Sequence, residues 1–400
     1  MHRLLALVLL VLATPVVAQD DISSAIAAHG LRATEADLAT RTAPTPSERF
    51  ALGGVRFLAG IERALQLRYR VGLGTDMAEA SGLPILRLPI EENPQPEPFE
   101  PAMIEALFRD IGLDMAGALD ALSGIGDSDA VAVEIRTEDL WFDIDSDGTR
   151  QPGEGVLEIT GWTLSAGNDL AGLPSTTIRF DAADSAWLSA YAHLLSAMSE
   201  AVLALGPTDG IARVLEARAT FDSLGRPKSG TEFTLEAQGG QWVDLAAMWI
   251  MAIEGQPDPV HTRALRDHLL AVVSENRRFW SLVPREQDNN QEWIPNKNQT
   301  SATGLPFPPG TGARWLAVLR DGERILQGEL LIPYWRVGSQ AGLNLAALFE
   351  NPPEIDIAGV IQGATLLPYL EEGPIADGQS LQLFGELVQG DSPLYAVLLN

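Results

Sequence analysis

The sequence predicts a mainly α protein: a multi-helical body with a few short β-strands. Three observations carry that reading. Apolar residues recur at three- and four-residue intervals through most of the chain, runs rich in β-branched residues are short and few, and no pattern repeats at a fixed period. Cysteine is absent, so disulfides and thiolate metal sites contribute nothing, and an apolar core or a bound ion must stabilise the fold.

The first element is not part of that body. Residues 1–18 start Met1-His2-Arg3, continue through the apolar run Leu4–Leu12 and end in Val16-Val17-Ala18, the charge, core and small-residue boundary of a secretory signal peptide. Cleavage after Ala18 is expected, giving a periplasmic or secreted product. No later run of about 18 apolar residues predicts a membrane span. Export removes Arg3 and no acid, so 54 acids face the 27 basic residues less Arg3. Such a surface repels nucleic acid and attracts cations.

An N-terminal helical segment is expected over 19–81. Within it Asp21–Leu31 has helical spacing, and a longer helix starts after Thr42–Ser47, with Ser47 as its cap and Phe50, Leu52, Val55, Leu58, Ile61 and Leu65 recurring at three and four. Six prolines between Gly82 and Pro101 predict an extended connector, because proline fits neither a helix interior nor a central strand. The remaining chain, 102–400, forms the main body. Helices are expected over Pro101–Leu122, Ala183–Leu205, Gly210–Ala219, Gln241–Ile253, Pro259–Leu282, Gly312–Leu326 and Leu343–Glu350. Ala130–Ile135 alternates as a strand does, while Leu330–Trp335 and Tyr395–Leu399 are further short apolar runs. Between Arg285 and Pro309 a polar, proline-bearing loop is long enough to suggest a role.

One segment announces chemistry. Asp143-Ile-Asp145-Ser-Asp147-Gly148-Thr149-Arg150-Gln151-Pro152-Gly153-Glu154 places carboxylates at positions one, three, five and twelve, with glycine at six. The segment resembles the EF-hand calcium loop, matching D-x-D-x-D-G-x5-E at every specified position. The resemblance implies Ca2+ held by Asp143, Asp145, Asp147, the Thr149 carbonyl and a bidentate Glu154, with Gln151 acting through water. Position eight, usually aliphatic and paired with a sister loop, is Arg150, and no second loop exists, so an isolated site is expected. Pro152 at position ten is compatible with an exiting helix that begins there. An isolated loop with weak flanking helices implies a structural ion more than a switch.

Other candidates rest on less. His193 and Glu200 lie two turns apart on one face of Ala183–Leu205, and His261 and His268 do the same on Pro259–Leu282. His193, Glu200 and His268 are therefore catalytic candidates for a periplasmic hydrolase or lyase, as is the 285–298 loop. Seven-residue spacing does not let two histidines of one helix grip a single zinc. Trp280, Trp293, Trp315 and Trp335, interleaved with Arg277, Arg278, Arg285, Arg314 and Arg336, suggest a third reading, a glycan or small-ligand module. No G-x-S-x-G elbow, phosphate-cradling glycine loop or H-E-x-x-H pair is present. The phrases Arg266–Leu269, Glu292–Pro295, Pro333–Arg336 and Leu367–Leu370 resemble those of uncharacterised exported bacterial proteins, which implies no activity.

Overall fold

A computed structural model describes residues 21–73, 90–159, 175–224, 235–286, 291–302, 310–378 and 382. The expected signal peptide, residues 82–89 of the connector and the run Tyr395–Leu399 lie outside them. The protein is mainly α. Helix α1 spans Ile22–Ala39, α2 Pro46–Arg70 and α3 Ala102–Ser123. Strands β1 (Val133–Arg136) and β2 (Thr177–Phe180) pair antiparallel, with Val133 opposite Phe180. Then follow α4 (Ala182–Leu205), α5 (Thr208–Leu224), α6 (Leu235–Ile253) and α7 (Pro259–Leu282). The described residues close with α8 (Thr311–Leu326), α9 (Leu345–Glu350), α10 (Ile357–Gln362) and an antiparallel sheet of β3 (Ile332–Pro333), β4 (Ala341–Leu343) and β5 (Leu370–Glu372) in that strand order.

Local chemistry sets the helix starts. Helix α2 begins with a capping box in which Thr45 accepts from Glu48 N–H and Glu48 accepts from Thr45 N–H, with Pro46 in the first turn. The cap is therefore Thr45, not Ser47. Ser47 lies inside the helix, and its Oγ accepts from Ala132 N–H at 3.0 Å, tying the lead-in of β1 to α2. A second box, Asp181 with Asp184, starts α4, and Asp258 caps α7.

The helices before and after the proline-rich connector share one core. Where α2 crosses α3, a Cβ at Gly53 would lie 2.7 Å from Leu122 Cγ and one at Gly60 2.6 Å from Met115 Cε, so both glycines permit the close approach. Residues 90–100 form neither helix nor strand, and Glu97 N–H donates to Arg70 O at the end of α2 at 2.8 Å. Charged side chains staple the outside of α1, α2 and α3: Arg63 meets Asp114 at 2.9 Å, Arg56 meets Glu35 at 3.1 Å and Arg32 meets Asp114 at 3.3 Å. On its other flank α3 meets α4, which forms the most extensive helix interface of the described residues with α7. By length and composition α4 is apolar enough to cross a membrane, although Asp184 and Glu200 interrupt its apolar run. In the fold it lies between α3 and α7, with Ala186, Ala190 and Ala192 buried completely.

Candidate metal centre

The acidic loop hangs from the core by its two ends. Trp141 and Phe142 are buried before it, and Trp141 Nε1 donates to the Ile26 carbonyl of α1 at 2.8 Å. Trp141 then bridges antiparallel to Gly155, Phe142 N–H donates to Glu154 O at 2.9 Å, and Val156 N–H donates to Leu140 O at 2.9 Å. These bonds close the base of residues 143–154. Helical backbone resumes at residue 156, not at Pro152. The bridge at Gly155 occupies the residues that a helix starting at Pro152 would need.

Within the loop, backbone donors aim the carboxylates. Asp143 accepts from Gly148 N–H at 3.1 and 3.2 Å, Asp145 from Asp147 N–H at 3.1 Å, and Asp147 from Thr149 N–H at 2.6 Å. Gly148 takes φ 75° and Ser146 φ 63°, turning the chain tightly enough for those contacts. Oxygens of Asp143, Asp145 and Asp147 thereby come within 4.8 Å of one another, a group that could hold a metal ion. Glu154 stands apart from that trio. It is buried, and its oxygens accept from Ile144 N–H at 2.8 Å and Gln151 N–H at 2.7 Å. Each carboxylate oxygen retains a second lone pair. Gln151 Nε2 donates to Asp147 at 3.2 Å, and Arg150 Nη1 donates to Glu138 O at 2.8 Å, stapling the loop to the turn before it. Burial, and then the charges of Asp145 and Asp147, raise the Asp143 carboxyl above its usual range; burial also raises Glu154, with Asp145 and Asp143 adding to it.

Sequence reasoning missed the grip that α2 exerts on this loop. Glu62 Oε2 accepts from Asp143 N–H at 2.9 Å, and one turn later Gln66 Nε2 donates to Asp143 O at 2.7 Å. The backbone N–H and C=O of Asp143 are thus both held by side chains four residues apart on one helix face. Burial, with the charges of Asp143 and Glu154, pushes the Glu62 carboxyl up to about 7 against the pull of Arg32. A glutamate within the apolar spacing of α2 was the available signal.

The other candidates separate. His193 meets His268, Nδ1 to Nδ1, at 2.9 Å, while Glu200 meets His261 Nδ1 at 2.6 Å. His193 and Glu200 both face α7 yet engage different partners. Of the four tryptophans, Trp315 is buried on Asn276 (3.0 Å), Trp280 and Trp293 pack on the core, and Trp335 is 74% exposed beneath Arg336. They do not line one groove. The 285–298 loop folds on itself where it is described: Asn296 Nδ2 donates to Val283 O at 3.0 Å and Glu286 O at 3.1 Å. Beside it Asp181, Glu286 and Glu292 form a second acidic cluster. A cavity of about 260 Å³ opens instead between α1, α2, β1, β2 and α4, walled by Ile26, Phe50, Trp187, Trp293 and the loop-flanking Leu140 and Val156; none of its described lining residues is titratable.

Fold and site together define a class: a mainly α protein with acidic clusters able to bind a metal. Comparison with protein-family models, curated proteins and solved structures returns no match.

Proposed function

We propose that this is an exported calcium-binding protein whose ion stabilises the acidic loop against the helical body. The observation that carries the reading is the convergence of Asp143, Asp145 and Asp147 within 4.8 Å, at the spacing a calcium loop requires. The Thr149 carbonyl and Glu154 complete the ligand set. A bound divalent charge offsets the burial cost, and the smaller mutual repulsion, that raise the Asp143 and Glu154 carboxyls. Because Glu62 and Gln66 fix the backbone at Asp143, binding couples to α2 and serves stability rather than helix opening.

The signal-like pattern of residues 1–18 supports a periplasmic or secreted location; the intact mass of the exported product, expected to start at Gln19, tests this part. Isothermal titration of chelator-stripped protein tests the ion. One equivalent is expected, with Kd on the order of 10⁻⁴ M, in the range of extracellular modules or somewhat tighter. Magnesium binds more weakly, because its octahedral shell resists a bidentate Glu154. Absence of saturable binding at several millimolar calcium would show the loop to be an acidic turn only.

A further inference from the structure

We propose that His193 and His268 form a second metal site, chemically distinct from the acidic loop, for a divalent ion of the copper(II) or nickel(II) kind. The two rings project from α4 and α7 across the interface those helices share. Their Nδ1 atoms stand 2.9 Å apart, with the rings tilted by 46°. Two neutral imidazoles keep that separation when one Nδ1 carries a proton and the other accepts it. A metal ion entering there requires the donor ring to tautomerise: its Nδ1 proton leaves to solvent while its Nε2 takes one up, so both rings stay neutral, no net proton is released and both Nδ1 lone pairs face the ion.

Ligand type favours the ion, and the distance admits it. With metal–nitrogen bonds of about 2.05 Å, the 2.9 Å separation fixes an N–metal–N angle of about 90°. That is the cis angle of a square-planar or tetragonal centre, the geometry of copper(II) and nickel(II). Tetrahedral zinc would need the nitrogens about 3.3 Å apart. Copper(II) also tops the affinity order for imidazole.

The surroundings suit a cation. Carboxylates of Glu200 and Asp267 both act on His268, and Glu200 is itself held by His261 at 2.6 Å. Both residues are half-buried, leaving solvent to complete the coordination shell. Hard oxygen ligands at the acidic loop and borderline nitrogen ligands here would sort two kinds of ion between two sites.

The test uses the untagged, chelator-stripped mature chain, titrated with copper(II) in buffer containing millimolar calcium. One equivalent is expected, with electron paramagnetic resonance showing two coordinated imidazole nitrogens. His193→Gln and His268→Gln should each lower affinity at least tenfold and remove one nitrogen coupling, with circular dichroism reporting whether the fold is kept. His29→Gln with His261→Gln should leave the couplings unchanged, and Asp143→Ala with Glu154→Gln should leave copper binding intact. If either seam variant fails to fold, the wild-type spectrum decides. Copper without imidazole coupling, or coupling lost in the His29/His261 double variant, would overturn the assignment.

Discussion

In the acidic loop every aspartate finds a backbone N–H within its own twelve residues, whereas on the α4–α7 seam His193 lies 75 residues from His268 and Glu200 lies 61 from His261. The loop carries its geometry in consecutive sequence. The seam acquires its geometry only when two helices dock. Exposure follows the same division: Asp145 and Asp147 are exposed, while all four members of the seam are half-buried. A loop of this kind can lose its chemistry without losing the fold, and a seam cannot be altered without touching packing.

The hardest way to break this contrast is through the loop's anchor. Trp141→Ala removes a buried indole and its bond to Ile26, so it should cost about 3–5 kcal/mol of stability. Chemical denaturation measures this, and a loss below 1 kcal/mol would mean that the loop is not tied to the core as described. Asp143→Ala comes next and should act on the ion alone, weakening calcium by a factor of about 100, or about 2.7 kcal/mol. Melting in chelator should stay within a few degrees of wild type. A large fall there would erase the distinction between loop and seam.

Acid sharpens the comparison from the other side. His193 is depressed in the folded state, so the unfolded chain binds its proton first, and stability present above pH 6.5 is lost as pH falls toward about 4. His268 across the seam is depressed as well, against the opposing charges of Glu200 and Asp267, and His261 is held by Glu200. After discounting for partial exposure, the loss in chelator amounts to about 2 kcal/mol. Denaturation curves of wild type and His193→Gln should converge across that window; parallel curves would refute the coupling. The smallest effect belongs to Gln66→Ala. Losing one hydrogen bond to Asp143 O should weaken calcium about fivefold, corresponding to about 1 kcal/mol. An unchanged titration would make α2 a bystander to the site.

This division explains what could be read from sequence. The helices α2, α3, α4 and α7 were legible because their apolar residues keep one period over 22 to 25 residues. The loop was legible because its carboxylates and turn glycine are contiguous. Thr45 was passed over for Ser47 because both are capping residues and only the fold shows which side chain meets the first turn. The pairing of His193 with His268 depends on how α4 and α7 lie against each other, which periodicity does not encode. Glu62 was hidden for the opposite reason: its position belongs to the core-facing pattern of α2, where a carboxylate looks like an interruption.

The break in α1 has a consequence of its own. At Gly30 the chain leaves helical geometry with φ 76°, and the Trp141 ring fills the notch, its Cζ2 only 3.1 Å from where a Cβ would stand. Positions 30 and 141 therefore form an epistatic pair. A side chain at 30 is excluded while the indole is present, and once the indole is gone the glycine keeps only its backbone role. Any route that puts a side chain at 30 must therefore do two things, clear the indole and return the backbone there to helical geometry, so loss of Trp141 alone leaves the glycine required.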